Sequence, residues 1–311
     1  MVFKEKSIRV FAPATVANVA CGFDVLGFAL QELGDIITLT KTETQHIEIS
    51  EISGAPNLSK DAKSNVVGVA VQAMLDELGS TQGLSIKIEK GVKPGSGIGS
   101  SAASSAAAVV AANRLLNAGF TEIDMIRFAM EGERLASGAA HADNVAPSIL
   151  GGFTLVRSLE PLDVIRLNTP PNLFCAIVHP QIEVKTADAR EVLNKNVSLK
   201  NAVIQWGNVG GLVAGLFLND YKLIGRSMQD VIAEPLRSSL IPYFYEVKKA
   251  AIESGALGCS ISGSGPSIFA LCEGRKSAER SVTEMSKVFE NSGIPFKVYV
   301  SGINQEGAKQ L

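Results

Sequence analysis

The chain has 311 residues, of which 46% are hydrophobic and 19% are charged. This composition is typical of a packed globular protein rather than a disordered one, and the length allows two domains. The 29 basic and 31 acidic residues nearly balance and no basic run stands out, which argues against a nucleic-acid-binding surface or an anionic-membrane surface.

The cysteines and the N-terminus indicate the compartment. Cys21, Cys175, Cys259 and Cys272 show neither C-x-x-C spacing nor histidines at metal-ligand spacing, so we expect buried thiols in a reducing compartment. Residues 1–9 carry charges without an apolar run, so no secretory signal is expected. We identify no run of about eighteen apolar residues that would span a membrane. A cytoplasmic protein is therefore predicted.

The first half of the chain alternates strand and helix patterns in an α+β order. Hydrophobic periodicity predicts strands at 8–11, 23–30, 36–39, 47–49 and 84–88, and helices at 65–78, 100–116 and from a cap at Thr121 to about 136. Thr121 with Asp124 three residues later is typical of a capping box. A glycine-rich segment separates the strand at 84–88 from the helix at 100–116, and a polar loop is predicted at 138–147.

The best candidate for a domain boundary lies at residues 169–172, where the sequence is Thr-Pro-Pro-Asn. Adjacent prolines do not fit inside a helix or a central strand, so we predict domains at 1–168 and 169–311. Further elements are predicted as strands at 153–156, 164–167, 173–178, 258–261, 267–271 and 296–300, and as helices at 187–193, 200–218, 242–254 and 278–291.

The glycine-rich segment is the first functional candidate. It reads PGSGIGSSAA over 94–103, after a strand and at the start of a helix. Small residues leave backbone N–H groups bare, and a helix start adds unpaired donors and a positive dipole end, so the segment is suited to binding phosphate. Gly99 is followed by Ser100 and not by lysine, so this is no Walker A loop. The phosphate-binding candidates are Pro94, Gly95, Ser96, Gly97, Ile98, Gly99, Ser100, Ser101 and Ala102.

This segment resembles the phosphate loop of the GHMP kinases, which phosphorylate galactose, homoserine, mevalonate and phosphomevalonate, although Ile98 replaces the usual leucine. Three further segments carry the resemblance: PATVAN (13–18) with GFDVLG (22–27), GE (132–133) with SGAAHADNVAP (137–147), and SGSGPS (262–267). They lie in the order of the family and span nearly the whole chain. The first of them is similar to the N-terminal signature of the homoserine kinases.

The resemblance implies roles for individual residues. Ser101 and Glu133 are implied as ligands of Mg²⁺, which prefers oxygen ligands. Asp24 is implied to pair with a substrate ammonium, and Arg190 and Arg237 to bind a carboxylate, for which the guanidinium fork is suited. Asn65 is implied on the adenine side, although as a helix-start residue it also has a simple capping explanation. The remaining candidates on the substrate side are Asn18, His141, Asn144, Thr186 and Gly263. The candidate catalytic residues are Asn18, Asp24, Glu133 and Arg190.

The resemblance also implies fold and activity. It implies the two-domain α+β GHMP kinase fold, with a ribosomal S5 domain 2-like N-terminal domain and a ferredoxin-like C-terminal domain. The implied reaction transfers the γ-phosphoryl group of ATP to the hydroxyl of L-homoserine with Mg²⁺, in threonine biosynthesis, and the implied assembly is a homodimer. No obvious aspartate–lysine base pair is present, so positioning and charge neutralisation are expected to do most of the catalysis. Asp143 is a less favoured candidate for a base.

Three alternatives stay open at this point. One is another GHMP kinase, such as one acting on mevalonate or a sugar; Asp24, Arg190 and Arg237 favour a zwitterionic substrate, and a neutral sugar would not need them. A non-catalytic amino-acid or nucleotide sensor would not need Ser101 and Glu133. A structural or nucleic-acid-binding protein that uses an S5-like domain is disfavoured by the balanced charge.

Overall fold

A computed structural model describes residues 6–194 and 196–311 and contains eleven strands and ten α-helices over those residues. The strands are β1 (Ser7–Ala17), β2 (Leu26–Lys41), β3 (Ile47–Ser53), β4 (Leu84–Glu89), β5 (Phe153–Leu159), β6 (Leu162–Leu167), β7 (Leu173–Pro180), β8 (Gly258–Ile261), β9 (Ile268–Glu273), β10 (Phe296–Gly302) and β11 (Lys309–Gln310). The helices are α1 (Val66–Leu78), α2 (Ser100–Leu116), α3 (Glu122–Ser137), α4 (Val145–Leu150), α5 (Thr186–Glu191), α6 (Leu199–Leu218), α7 (Tyr221–Ser227), α8 (Glu234–Arg237), α9 (Phe244–Glu253) and α10 (Arg275–Glu290). Residues 1–5, where no secretory signal was expected, lie outside the described residues.

The first sheet has the order β11-β1-β2-β4-β3, with β5 on β2 and β6 on β5. Its strands pair antiparallel except for β3 and β4, which are parallel and joined through α1. Helices α1, α2, α3 and α4 pack on it around one core. The alanines of α2 are fully or almost fully buried, because their small side chains let this helix lie close to the sheet.

The second sheet is antiparallel, with the order β10-β7-β9-β8, and α9 and α10 pack on it. A third apolar cluster lies between the two sheets. Its aromatic centre is Phe28, whose ring centroid is 4.7 Å from Phe153 and 5.9 Å from Phe269. Since Phe28 and Phe153 belong to the first sheet and Phe269 to the second, buried apolar contact holds the two sheets together.

Several predicted elements need correction. The strands predicted at 23–30 and 36–39 are parts of one strand, β2, whose exposed Gln31 and Glu32 interrupt the apolar pattern without ending the hydrogen bonding. Helix α4 begins within the predicted polar loop at 138–147 and extends beyond it, and α7, α8 and β11 were not predicted. These four elements have seven residues or fewer, which is too short for hydrophobic periodicity to be recognised. The capping box of α3 and the four buried, free cysteines are confirmed.

Helix α6 bears on the expectation that no segment of the chain spans a membrane. Over the described residues it is the one helix long and apolar enough to cross a membrane by length and composition, and only 22% of its apolar window is buried. Length and composition alone are weak evidence for a span. One face of α6 packs on α7, with buried Leu212, Gly215 and Leu216. Its other face carries exposed apolar side chains.

Candidate active site

A cleft of about 130 Å³ lies between the start of α2 and the loop after β8. It is lined by residues from the end of β1, from α2, α3, α5 and α8, and from the loops that follow β1, β4, α3 and β8. The predicted site residues that line it are Asn18, Asp24, Gly95, Ser96, Gly97, Gly99, Ser100, Ser101, Glu133, His141, Asn144, Thr186, Arg190, Arg237 and Gly263. The cleft therefore brings together residues from six separate parts of the sequence.

The glycine-rich segment lies between β4 and α2, as predicted. Gly95, Gly97 and Gly99 have φ values of 73°, 80° and 60°, a left-handed conformation that glycine adopts without a steric penalty. Carbonyl groups of this segment are engaged from the opposite side, since the hydroxyl of Ser262 donates to the Gly97 carbonyl at 2.7 Å and that of Ser267 to the Ser96 carbonyl at 2.6 Å. The cleft faces the N-terminus of α2, whose free N–H groups suit an anion.

The contact at Gly97 is too close for any side chain. A Cβ there would be 2.5 Å from the Gly265 carbonyl oxygen and 2.8 Å from that of Ser262. By contrast, a Cβ on Gly95 would meet nothing within 4 Å. The two glycine-rich loops, one from each half of the chain, thus pack backbone against backbone at Gly97.

Ser101 and Glu133 lie side by side and suit a hard cation. The neighbouring Ser100 hydroxyl is already used, because it donates to the Val92 carbonyl at 2.9 Å. Glu133 is buried, and its Oε1 has no hydrogen-bond partner among the described residues. Burial raises the pKa of Glu133 to about 7, while the Ser101 hydroxyl and the charge of Lys90 act in the opposite direction. An unpartnered buried carboxylate beside a hydroxyl fits Mg²⁺ as a ligand.

In the part of the chain that the structure describes, no larger acidic or thiol cluster competes for a metal ion. Within 6–194 and 196–311, no three His, Cys, Asp or Glu side chains group in a way that would hold one. A cation at Ser101 and Glu133 would therefore depend on further oxygen ligands, such as phosphate groups, which is how Mg²⁺ is usually bound in kinases.

The charged end of the cleft has Arg190 at its centre. Its guanidinium donates to both Asp24 oxygens, at 2.9 and 3.0 Å, and to Nε2 of His141 at 2.7 Å. Burial lowers the pKa of His141, which favours the neutral ring that can accept this hydrogen bond. Arg190 Nε has no partner among the described residues, so Arg190 keeps a donor for a further anion.

Arg237 forms the second guanidinium of this end. It donates to the Ala189 carbonyl at 2.8 Å and to the Gly263 carbonyl at 3.1 Å, and it lies 4.8 Å from the centroid of the Phe23 ring. Burial lowers its pKa. The Phe23 ring also lies 5.7 Å from Arg190, so one aromatic face supports both cations.

Asn18 connects the two halves of the chain. Its amide donates to the Gly263 carbonyl at 2.7 Å, and its Oδ1 accepts from the Asp24 backbone N–H at 3.0 Å. Asn18, Val19 and Ala20 all have positive φ, at 69°, 41° and 58°, which is rare for residues other than glycine and concentrates at functional sites. The strained turn and its hydrogen bonds place Asp24 at the cleft.

Four predicted site residues do not line the cleft. Pro94 is exposed at the loop, and Ile98 and Ala102 are buried behind it. Asn65 caps α1, since its Oδ1 accepts from the Val67 N–H at 3.0 Å and its amide donates to the Ser59 carbonyl at 2.7 Å. The capping explanation of Asn65 accounts for its contacts, and the adenine role stays a prediction.

Two residues of the site are not recognised from the sequence at their full importance: Asp143 is given little weight, and Lys90 is missed. Asp143 lines the cleft and is buried, and burial raises its pKa to about 7 with the charges of Asp24 and Glu133 adding to the effect. Lys90 lies beneath the glycine-rich loop in a buried ion pair with Asp35. The only signal for Lys90 was its position directly before the loop, and Asp35 lies 55 residues away in the sequence.

Comparisons with known proteins agree with this geometry. The family profile "GHMP kinases N terminal domain" matches residues 65–152, and "GHMP kinases C terminal" matches residues 212–291. A homoserine kinase of Chlorobium phaeovibrioides is 50% identical, with 98% of this chain and 100% of that protein covered. A homoserine kinase of Pyrococcus furiosus is 41% identical over 97% of this chain and 99% of its own. The crystal structure of homoserine kinase from Cytophaga hutchinsonii has 53% identity and a TM-score of 0.95, covering 100% and 99% of the two chains.

Proposed function

Because this chain belongs to the GHMP kinase family, we propose how its residues carry out the ATP-dependent phosphorylation of L-homoserine. The chain has the two-domain fold of that family, and its reaction converts L-homoserine to O-phospho-L-homoserine in threonine biosynthesis. The predictions of family, fold class and activity are thereby confirmed, and the sugar-kinase, sensor and nucleic-acid-binding alternatives are set aside. The residue roles below are proposals.

The phosphates of ATP bind at the start of α2. Gly95 to Ser101 supply backbone N–H groups and hydroxyls, and the left-handed glycines let the backbone come close to the phosphate oxygens. Ser101 and Glu133 hold Mg²⁺, which supplies charge neutralisation on the phosphates when it is bound. The unpartnered Oε1 of Glu133 supports this assignment.

The substrate binds at the other end of the cleft. Asp24 accepts the ammonium group of L-homoserine, and Arg190 and Arg237 bind its carboxylate. Thr186, His141 and Asn144 complete the polar lining. Asn18 positions Asp24 and Gly263 through hydrogen bonds that use both ends of its amide. This zwitterion-binding end leaves the substrate hydroxyl to face the phosphates.

Positioning and charge neutralisation carry the transfer step. The hydroxyl oxygen of L-homoserine attacks the γ-phosphorus in line with the departing ADP, and the bond from the γ-phosphorus to the bridging oxygen breaks. The hydroxyl proton is released to solvent as the new phosphorus–oxygen bond forms. The N–H groups of the glycine-rich loop stabilise the charge on the transferred group. Asp24 is engaged by Arg190 and serves binding rather than proton abstraction.

We also propose the features that rest on resemblance or composition. Mg²⁺ is the cation, the domains divide at 168 and 169, and the assembly is a homodimer. The buried free cysteines support a cytoplasmic location, and the nearly balanced charge supports small molecules as ligands rather than nucleic acid or membrane.

The observation that carries the substrate assignment is the placement of Asp24, Arg190 and Arg237 in one cleft with the glycine-rich loop. The test is ATP consumption by purified protein with Mg²⁺, comparing L-homoserine with mevalonate, galactose and L-serine. Turnover with L-homoserine alone is the expected result. ATP binding without turnover on any of the four alcohols would contradict the assignment.

A further inference from the structure

Thr15 is a fully buried residue of β1 that does not line the cleft but contacts two segments that do. Its hydroxyl donates to Oδ1 of Asn144 at 2.7 Å. The two residues are 129 positions apart in the chain, so they meet only because α4 packs against β1. The binding of ATP and L-homoserine proposed above gives Thr15 no role, and its hydrogen bond to a residue of the cleft is therefore unexplained.

Asn144 does not use its side chain as its position in the chain would suggest. It directly precedes α4, where an asparagine commonly caps the helix by accepting a hydrogen bond from a backbone N–H. Its side chain makes no capping bond and accepts from Thr15 instead. Over the described residues this is the one side-chain hydrogen bond of Asn144. Because Asn144 lines the cleft, its amide N–H groups are left for a ligand there.

The start of α2 encloses the hydrogen bond between Thr15 and Asn144. A Cβ on Gly99 would lie 1.9 Å from Oγ1 of Thr15 and 2.9 Å from Oδ1 of Asn144, so only glycine leaves room for the pair. The backbone N–H of Thr15 also donates to the Ile98 carbonyl at 3.3 Å. The oxygen end of the Asn144 amide therefore lies between β1 and the glycine-rich loop, and the N–H end is the one left toward the cleft.

A hydrogen bond that served folding alone would not need a residue of the cleft as its partner. Ser148 of α4 already joins the same two elements, since its hydroxyl donates to the Pro13 carbonyl at 2.8 Å. Ser148 is fully buried as well, and neither it nor Pro13 lines the cleft. The register of β1 on β2 shifts between Pro13 and Thr15, and irregularities of this kind often re-aim a side chain beside an active site.

We propose that Thr15 is a positioning residue for phosphoryl transfer, whose hydroxyl holds the Asn144 amide with Oδ1 toward the protein and Nδ2 toward the cleft. Asn144 lies between the two ends of the cleft, because Gly99 borders it on one side and His141 of the same loop contacts Arg190 on the other. In this orientation the amide donates to an oxygen of the substrate hydroxyl or of the γ-phosphoryl group. A reversed amide would present an acceptor and repel the phosphoryl oxygens. The proposal rests on the place of Asn144 in the proposed substrate site.

The test compares Thr15→Ala with Thr15→Ser by steady-state kinetics on the full chain, because these two variants differ only in the hydroxyl. Thr15→Ala is expected to lower kcat/KM for L-homoserine about 10- to 100-fold, the effect of losing a hydrogen bond to a charged group. Thr15→Ser is expected to restore most of the activity, and KM for ATP is expected to change little in either variant. Thermal unfolding shows that each variant is folded at the assay temperature.

Ser148→Ala is the matched control, since it removes a buried hydroxyl that joins the same two elements. It is expected to lower the melting temperature about as much as Thr15→Ala but to leave kcat/KM unchanged. A loss of kcat/KM in Ser148→Ala equal to that in Thr15→Ala would overturn the proposal, because it would show that any weakening of the contact between α4 and β1 has the same effect.

Variants of Asn144 test the direction of the amide. Asn144→Asp keeps the acceptor for Thr15 but has no N–H, and it is expected to lose at least as much activity as Thr15→Ala. The double variant Thr15→Ala with Asn144→Ala is expected to be no less active than Asn144→Ala alone, because Thr15 acts through Asn144. A rise in KM for L-homoserine would assign the accepting oxygen to the substrate hydroxyl, and a fall in kcat alone would assign it to the γ-phosphoryl group.

The outcomes that overturn the proposal differ from those that overturn the substrate assignment. Equal kinetics of Thr15→Ala and Thr15→Ser, losses that multiply in the double variant, or a change confined to KM for ATP would each contradict the positioning role. Full activity of Asn144→Ala or Asn144→Asp would contradict a donor at Asn144, and the proposal with it. Turnover by wild type of a different alcohol would contradict only the substrate assignment, and the same comparison of variants is then made with that alcohol.

Discussion

Arg190 and Asp24, 166 residues apart in the chain, form a two-bond ion pair at 2.9 and 3.0 Å across the substrate end of the cleft. The proposed ammonium-binding group and the proposed carboxylate-binding group thus neutralise each other before substrate arrives. A zwitterion can replace this pair with matching charges on both sides, whereas a neutral sugar cannot. The ion pair is therefore a basis for selecting an amino acid.

Replacing Asp24 with Asn is expected to raise KM for L-homoserine about 10- to 100-fold, because a hydrogen bond to a charged group is worth about 1.5–3 kcal/mol. The kcat value and the KM for ATP are expected to change little. Steady-state kinetics with each substrate varied in turn measures both. Asp188→Asn, an exposed change on the helix that carries Arg190, is the control. A loss confined to kcat would indicate that Asp24 is a base.

Replacing Glu133 with Gln is expected to abolish most Mg²⁺-dependent activity and yet to stabilise the ligand-free protein above pH 7. Burial raises the pKa of Glu133 from 4.5 to about 7, so the folded state binds more protons than the unfolded state between these values. Stability then falls as pH rises through that window. Glutamine does not ionise, so the Glu133→Gln variant does not lose stability in this way. It is expected to be more stable than wild type at pH 8 by on the order of 3 kcal/mol.

The measurement for Glu133 is urea unfolding in EDTA at pH 4.5 and pH 8. The advantage of the variant is expected to vanish at the lower pH, where the glutamic acid is protonated in the folded state. Glu131→Gln, at a partly exposed position on the same helix, serves as control and is expected to show no such pH dependence. Equal stability of wild type and Glu133→Gln at pH 8 would contradict the burial argument.

Replacing Lys90 with Met is expected to lower the free energy of unfolding by about 3–5 kcal/mol, because it leaves the buried Asp35 charge unpaired. Lys90 also donates to the Ser100 carbonyl at 2.8 Å, and Asp35 accepts from the Gly91 N–H at 3.0 Å. The pair therefore holds both ends of the glycine-rich loop.

The double variant Lys90→Met with Asp35→Asn separates folding from positioning, since it leaves no unpaired charge and keeps an acceptor for Gly91. It is expected to recover much of the stability but to retain a raised KM for ATP, with KM for L-homoserine unchanged. Lys87→Met, on β4 three residues before Lys90, breaks an exposed ion pair with Glu51 and is expected to cost less than about 1 kcal/mol. A normal KM for ATP in the double variant would limit the pair to a folding role.

Gly97→Ala is expected to lower the melting temperature more than Gly95→Ala. Both residues have positive φ, so both variants carry a similar strain of about 1–2 kcal/mol. Only at position 97 would the new Cβ meet a carbonyl oxygen, that of Gly265 at 2.5 Å. Thermal unfolding by differential scanning fluorimetry compares the two directly. Equal decreases in melting temperature for the two variants would show that the two glycine-rich loops can move apart at Gly97 without loss of stability.

Local interactions determine the parts of this protein that its sequence predicts well. The glycine-rich loop and α2 depend on residues adjacent in the chain, and so does the capping box at Thr121. Their conformations follow from glycine geometry, helix propensity and side-chain caps within a few residues. The motif order over the whole chain was sufficient to identify the family, because each motif is a local pattern.

Tertiary structure alone decided the features that join distant residues. Arg190 reads as an exposed helix residue until α5 packs beside the turn that carries Asp24, and Lys90 reads as a surface lysine until β2 places Asp35 against it. The length of β2 depends on its hydrogen bonds to β1, β4 and β5, which override the polar Gln31 and Glu32. Which face of α6 remains open was likewise settled by the packing of α7. A single sequence records none of these pairings, because burial and charge pairing depend on which segments meet in space.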